Sequence, residues 1–275
     1  MDNNRLDFLR ETAREIRIDT LEMFFRAGYG HIGGSLSIVE LLTMAYFSKM
    51  SVDPNRPDWT DRDRFILSKG HACTSYYATL ARRGYFEQRH LDTYAEVESI
   101  LPGHPDMLKT PGVDFNSGSL GQGLSVGIGM ALAARLSHKN YRTYVLLGDG
   151  ELQEGQVWEA AMAAAGFGLD NLTAVIDYNK LQLTGSVNRT EPLEPLMDKW
   201  RAFGWHVIQI DGHQFLAIDE ALTEMESIKG IPTVIIAHTI KGKGVSFMEN
   251  EKSWHSHTLH KDQYERALSE LKVGV

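Results

Sequence analysis

Four short, nearly continuous apolar runs constrain the fold of this chain most: Thr143 to Leu147, Thr173 to Asp177, His206 to Ile210 and Thr233 to Ala237. A strand with one wet face alternates apolar and polar residues. Runs without that alternation are buried on both faces, as in a parallel sheet covered by helices above and below. A fifth run is Arg64-Phe65-Ile66-Leu67. Between the runs, apolar residues recur at helical spacing over Leu6–Ala27, Ile38–Met50, Thr74–Arg83, Leu124–Leu136 and Val157–Gly166. Further helices are expected at Leu193–Phe203, Ala217–Ser227 and Asp262–Leu271. Strands alternating with helices need crossover connections, so the expected fold class is α/β: a doubly wound, mainly parallel sheet with helices on both faces. With no internal repeat, low-complexity tract or linker, one domain is expected over 1–275, with an N-terminal helical segment over 5–50 and a C-terminal helix over about 261–272.

Composition removes several functions. The formal net charge is −8, whereas binding a phosphate backbone calls for a basic face, so nucleic acid is not an expected partner. Cys73 is the only cysteine and makes neither an intramolecular disulfide nor a zinc site by itself. No segment approaches the roughly 20 apolar residues of a membrane span. Met1 to Arg17 is charged and amphipathic, without the apolar core of a signal peptide, so the cytosol is the expected compartment.

The 25 glycines cluster at Gly33-Gly34, Gly118 to Gly129, Gly148 to Gly155 and Gly242-Gly244, which marks sharp turns or close approach to a ligand. In sheets of this kind ligands sit where strands end and helices begin. One such junction reads Gly148-Asp149-Gly150-Glu151, and the next strand ends in Asp177-Tyr178-Asn179-Lys180-Leu181. Asp149 and Asn179 are separated by about one βαβ unit, roughly 30 residues, which brings both to one sheet edge. One carboxylate and one amide oxygen bind a bare ion weakly. They suit Mg²⁺, or Ca²⁺ or Mn²⁺ in its place, when a diphosphate supplies further oxygens and the Leu181 region adds a carbonyl. Gly148 and Gly150 are expected to turn backbone N–H groups toward that phosphate. The alternative is a plain Gly-Asp-Gly turn with Asn179 as a cap.

At this point the sequence resembles a known family. Gly148-Asp149-Gly150 followed by Asn179 is similar to the thiamine diphosphate signature, and Gly148 through Ala160 is similar to its transketolase form. Gly30 to Ser37, Ser68 to Ala72, Leu101 to Pro105 and Gly118 to Ser125 also resemble transketolase segments, in order and over almost the whole chain. The resemblance implies thiamine diphosphate and Mg²⁺ as cofactors. Asp149, Asn179 and the Leu181 carbonyl would hold the metal, and His71, Gly118, Leu120, Asp149, Gly150, Glu154 and Asn179 would contact the cofactor. It further implies transfer of a two-carbon ketol unit from a ketose phosphate to an aldose. His31, His71, His104 and His255 would handle hydroxyls and protons, a task suited to an imidazole of pKa about 6.5. Trp254-His255-Ser256 stands for the family's Trp-His-Gly, which favours His255 over His257. Glu154 follows the diphosphate loop too closely to reach the pyrimidine of the same cofactor. The resemblance puts it at a subunit interface, coupled to the other site, and it also suits a helix N-terminus.

His90, His138, His206, His213, His238 and His260 are expected to be structural or on the surface, with His213 in Asp211-Gly212-His213 the least secure. Gly121-x-Gly123-x-x-x-Gly127 resembles a nicotinamide fingerprint but lacks a preceding strand. Cys73 is expected to be a packed small residue, and Arg26 and Lys241 are basic residues near the motifs without an assigned role. The family's pyrimidine-binding and third domains have no counterpart here. The expectation is therefore an N-terminal subunit of a split transketolase, paired with a C-terminal subunit in a heterotetramer that acts on sugar phosphates. Alternatives are a subunit of another thiamine diphosphate enzyme, deoxyxylulose-phosphate synthase-like, dihydroxyacetone-type or sulfosugar-cleaving, or an interaction subunit that keeps the fold without the chemistry.

Overall fold

The computed structural model describes residues 1–273; Gly274 and Val275, the end of the expected 1–275 domain, lie outside the described residues. The apolar runs form β1 (Arg64–Leu67), β2 (Thr143–Gly148), β3 (Leu172–Tyr178), β6 (His206–Asp211) and β7 (Thr233–His238), while β4 (Leu181–Gln182) and β5 (Gly185–Ser186) make a small hairpin. The five long strands form one sheet in the order β1-β2-β3-β7-β6, and every pairing is parallel.

Alternate strand residues enter different cores, because successive side chains leave opposite faces of a strand. Phe65, Leu67, Tyr144, Leu146, Val175, Ile235 and Ala237 join one apolar cluster, and Ile66, Val145, Leu147, Ala174, Ile176, Val234 and Ile236 join the other. The first cluster is completed by α1 (Asn3–Ala27), α3 (Val39–Met44), α4 (Cys73–Arg83) and α9 (Phe215–Ser227). The second is completed by α5 (Gly123–Leu136), α6 (Gly155–Gly166) and α8 (Leu196–Ala202). Helices thus cover both faces, as the unalternating runs require. A third cluster joins α1 to α10 (Lys261–Val273) through Phe24, Trp254 and Leu271. Among the described residues no helix is long and apolar enough to cross a membrane.

Two expected helices differ. The run from Ile38 to Met50 is divided: α2 (Ile32–Leu36) precedes it, α3 stops at Met44, and the chain widens into a π turn over Ala45–Lys49. The helix expected from Leu193 begins at Leu196, because Pro195 disfavours helical backbone at Glu194. The Glu194 carboxylate instead accepts the Leu196 N–H at 2.9 Å. A single helical turn, α7 (Val187–Thr190), completes the α-helices among the described residues.

Candidate active site

Parallel pairing puts the exits of all five strands on one edge of the sheet. Gly148 of β2 stands opposite Asp177 of β3, and the Asp149 N–H donates to the Asp177 carbonyl at 3.2 Å, so Asp149 and Asn179 meet as their spacing predicts. Asp149 is 2% exposed. Its carboxylate accepts the N–H groups of Gly150 (2.8 Å) and Lys180, and burial followed by the Asp177 charge pushes it up to about 7. Asn179 Oδ1 accepts the Leu181 N–H at 3.1 Å, and the Leu181 carbonyl accepts from Lys241 Nζ at 3.0 Å. Lys241 is buried, and that carbonyl is the only hydrogen-bond partner of its ammonium among the described residues. Burial, then Lys69, pulls its ammonium down to about 8. Oxygens of Asp149, Asn179 and Leu181 therefore lie beside an ammonium with donors to spare. No group of three or more His, Cys, Asp or Glu placed to hold a metal occurs among the described residues, so a cation here needs oxygens from a second ligand.

The Gly148 and Gly150 N–H groups do not face outward as expected. Gly148 donates to Glu151 at 3.0 Å and Gly150 to Asp149 at 2.8 Å, because a tight 3₁₀ turn over Gly150–Gln153 folds the acidic side chains back on their own loop. After that turn α6 starts at Gly155, ahead of the expected Val157. The buried Glu151 carboxylate also accepts from Ser68 Oγ and from the Gly121 N–H at 2.9 Å, tying three loops together. Burial raises Glu151 above the usual carboxylate range despite those bonds. Gly121 has φ +83° and its Cβ position would fall 2.8 Å from the Glu154 Cβ, so only glycine fits.

Behind Asp149, Asp177 is fully buried and saturated. It accepts from Lys69 Nζ (2.6 Å), Ser37 Oγ (2.8 Å), Asn179 Nδ2 (2.8 Å) and Thr239 Oγ1. Burial alone would raise its carboxyl, but Lys69 together with the Thr239 and Ser37 hydroxyls outweighs that and holds it below the usual carboxylate range. Lys69 also donates to the Gly34 carbonyl at 2.7 Å.

The histidines gather next to this hub. The His31, His71 and His255 rings stand 5.2 Å (31 to 71), 5.2 Å (71 to 255) and 5.7 Å (31 to 255) apart, centroid to centroid. A Cβ on Gly34 would lie 3.5 Å from Lys69 Nζ and 3.8 Å from His71 Nε2, and one on Gly33 would strike the Trp254 carbonyl at 2.7 Å. Gly33 is therefore what lets the Trp254–His255 segment close on this edge, whereas a Cβ at Gly34 would make only ordinary contacts. His104 lies beside the loop of Gly118, 3.9 Å from its Cβ position. Burial and then the His104 charge lower His31; burial and then Lys69 hold His71 well below the ordinary range. Burial and then Lys241 bring His255 down to about 3, and its buried Nδ1 has no hydrogen-bond partner. All three imidazoles are therefore neutral near pH 7.

The other expected site residues fall nearby or apart. Half-buried Leu120 adjoins Gly121, whose N–H anchors Glu151. Glu154 is exposed at the entrance of α6 and does not join the histidines within this chain. His257 packs on Trp254 with ring centroids 4.5 Å apart, while His255 turns into the cluster. His213 is structural as expected. Its Nε2 accepts the Ile240 N–H at 2.8 Å, so its Nδ1 donates to Glu40 at 3.0 Å, and Glu40 is also paired with Arg17 at 2.6 Å. Burial opposes the Glu40 charge, but Arg17 and His213 hold it at about 2. Arg26 pairs with Glu22 and Asp92. Buried Cys73 has its thiol pushed up to about 12.

Sequence reasoning missed Ser68, Lys69, Glu151, Asp177 and Thr239, and left Lys241 unassigned. Ser68, Lys69 and Glu151 stood inside motifs already singled out. Asp177 offered one further signal: a charged residue closing a run buried on both faces must find a partner.

Comparison with known proteins agrees with this geometry. Residues 9–273 match the family described as transketolase, thiamine diphosphate binding domain. The chain is 47% identical to the 6-deoxy-6-sulfo-D-fructose transketolase subunit SqwG of Clostridium sp. (strain MSTE9), covering 99% of this chain and 98% of that one. It is 45% identical to an apulose-4-phosphate transketolase subunit of Phocaeicola vulgatus, covering 93% and 90%. The crystal structure of transketolase from Campylobacter jejuni superposes with a TM-score of 0.91 at 29% identity, covering 99% of this chain but 43% of that one. The chain thus spans less than half of that larger protein. It belongs to the transketolase family of transferases, of which it forms the thiamine diphosphate binding domain.

Proposed function

We propose that this chain supplies the diphosphate- and metal-holding side of a transketolase active site, together with the imidazoles that meet the sugar. A second subunit supplies the pyrimidine side, and the two form a heterotetramer. One observation carries the reading: the Asp149, Asn179 and Leu181 oxygens, each short of its full complement of donors, share a sheet edge with three mutually close, neutral histidines.

The donor set fits the cofactor. Asp149, Asn179 Oδ1 and the Leu181 carbonyl are hard oxygen ligands, too few alone for Mg²⁺ but adequate with two diphosphate oxygens and water. The spare donors of Lys241 suit the same anion. When bound, thiamine diphosphate supplies the nucleophilic carbon and the electron sink for breaking a C–C bond beside a carbonyl. The chain's own residues orient and handle protons. Lys69, locked by Asp177 and Gly34, carries His71 on its loop. His31, His104 and His255 donate to and accept from the first hydroxyls of a ketose. Neither ring nitrogen of His255 has a hydrogen-bond partner among the described residues, so the ring is free to take a substrate hydrogen bond. As neutral rings, His31, His71 and His255 add no positive charge beside Lys69 and Lys241.

Two features support a partner. Two relatives of matching length are named as transketolase subunits. The ends of α5 and α6, joined by Arg135 donating to the Phe167 and Gly168 carbonyls, leave Leu136, Met162 and Phe167 exposed. Exposed Glu154 opens the same α6 helix and fits a role at that interface. The ketose donor is a sugar phosphate or its sulfonate analogue, since the two relatives are named for one of each.

The test is to assay ketol transfer by the purified chain alone and with a pyrimidine-domain subunit, over a panel including 6-deoxy-6-sulfo-D-fructose, apulose 4-phosphate and common ketose phosphates. Thiamine-dependent transfer only by the pair supports the reading. Full transfer by the lone chain contradicts it.

A further inference from the structure

Tyr29 is 60% exposed, yet its hydroxyl is bonded to Ser256 Oγ and its ring edge faces His31 with centroids 6.3 Å apart. The main chain repeats the link one step on: the His257 N–H donates to the Gly30 carbonyl at 3.2 Å. These bonds join the segment leaving α1 to the segment leaving the turn Lys252–His255. His255 directly precedes the first tie and His31 directly follows the second. Their rings stand 5.7 Å apart at 87°, and among the described residues no side-chain hydrogen bond holds either ring. A hydroxyl pair open to water adds little to stability, because water replaces each partner. Its consequence lies in what it holds.

We propose that Tyr29 and Ser256 are a positioning pair that sets the separation of His31 and His255, and thereby which ketose hydroxyls the cluster accepts. The inference rests on the transketolase reading above, in which those two imidazoles meet the sugar. Adjacent hydroxyls of a ketose need partners at matched spacing, and a site built to hydrogen-bond them discriminates strongly when that spacing is wrong. His31 and His255 stand on loops far apart in sequence, so a cross-link at the rim is the direct way to keep them in register.

Tyr29→Phe keeps the ring and removes the hydroxyl, Ser256→Ala removes its partner, and Ser256→Thr keeps a hydroxyl. In the reconstituted two-subunit enzyme, Tyr29→Phe and Ser256→Ala each raise KM for the ketose donor about 10-fold while kcat stays within about twofold. The double variant is no worse than either single one, and Ser256→Thr retains near wild-type KM. In the full chain without cofactor or partner, the His31 and His255 imidazole ¹H–¹⁵N resonances shift in Tyr29→Phe, while that of His213, clamped by Glu40 and Ile240, does not. If the wild-type complex transfers no ketol unit from any donor, the transketolase reading fails, and the resonances still decide whether the pair positions the rings. An active complex whose KM and His31 and His255 resonances are all unchanged by Tyr29→Phe overturns the inference, as do fully additive losses in the double variant.

Discussion

Asp149 and Asp177 stand side by side at the exits of neighbouring strands, and both are buried, yet their surroundings are opposite. Asp177 is met by four side-chain donors, including the Lys69 ammonium, and is held below the ordinary carboxylate range. Asp149 has two backbone N–H groups and is pushed up to about 7. The histidines repeat the contrast. His213 has both ring nitrogens engaged, whereas His255 has a buried Nδ1 with no partner. A buried polar group that is fully paired serves the fold; one left short of partners is prepared for a ligand.

The largest effect that tests this contrast is on Asp149. Asp149→Ala is expected to cut ketol transfer of the reconstituted enzyme by about a thousandfold or more, as loss of a charged metal ligand does, while costing the free chain little stability. Activity of the complex and thermal melting of the chain read the two halves; retained cofactor-dependent activity would contradict the assignment. Asp177→Ala should behave the other way. It strands the buried Lys69, so chemical denaturation should show a loss of about 3–5 kcal/mol before any catalytic effect is read.

The two sites also differ in pH response. The folded Asp149 keeps its proton up to about 7, whereas in the unfolded chain it is lost near 4. Between those values the folded state binds more protons, so this group lowers the stability of the free chain as pH rises. Mg²⁺ with thiamine diphosphate replaces that proton, so their stabilisation in thermal melts should grow between about pH 5 and pH 8. No such rise in the wild type would separate Asp149 from the metal. His255 acts in the opposite sense. The unfolded chain gains its proton below about 6.5 and the folded chain only near 3, so stability present above 6.5 is lost as pH falls through that window. The loss should be about 2 kcal/mol after discounting for partial exposure, and His255→Asn should remove it. The smallest expected effect is on Cys73, whose buried thiol, at about 12, should resist alkylation in the native chain and react on unfolding, as mass spectrometry can follow.

Much of this was legible in the amino-acid order. Runs such as Thr143 to Leu147 lacked alternation because both faces are covered, and that sufficed for the parallel sheet. Asp149 and Asn179 were readable because a strand–helix–strand unit fixes where its ends lie. The saturated partners were not. Which carboxylate Lys69 meets depends on loops from different strands, and no local pattern distinguishes Asp177 from Asp149. The same holds for the Gly148 and Gly150 N–H groups, turned inward by Glu151 and Asp149. The division of the helix expected at Ile38–Met50 was hidden by apolar periodicity that continues through the break.

The Asp177 hub has a consequence for how the domain forms. Three of its four side-chain donors come from Ser37, Lys69 and Thr239, separated from it by 140, 108 and 62 residues. Contacts of such range are made only after long loops have closed, so they arrive late in folding. The floor beneath the histidines is therefore absent until β1, β3 and β7 are all in register. An intermediate with part of the sheet in place would hold neither a fraction of the site nor a fraction of its affinity, and recovery of cofactor binding during refolding should coincide with the final step.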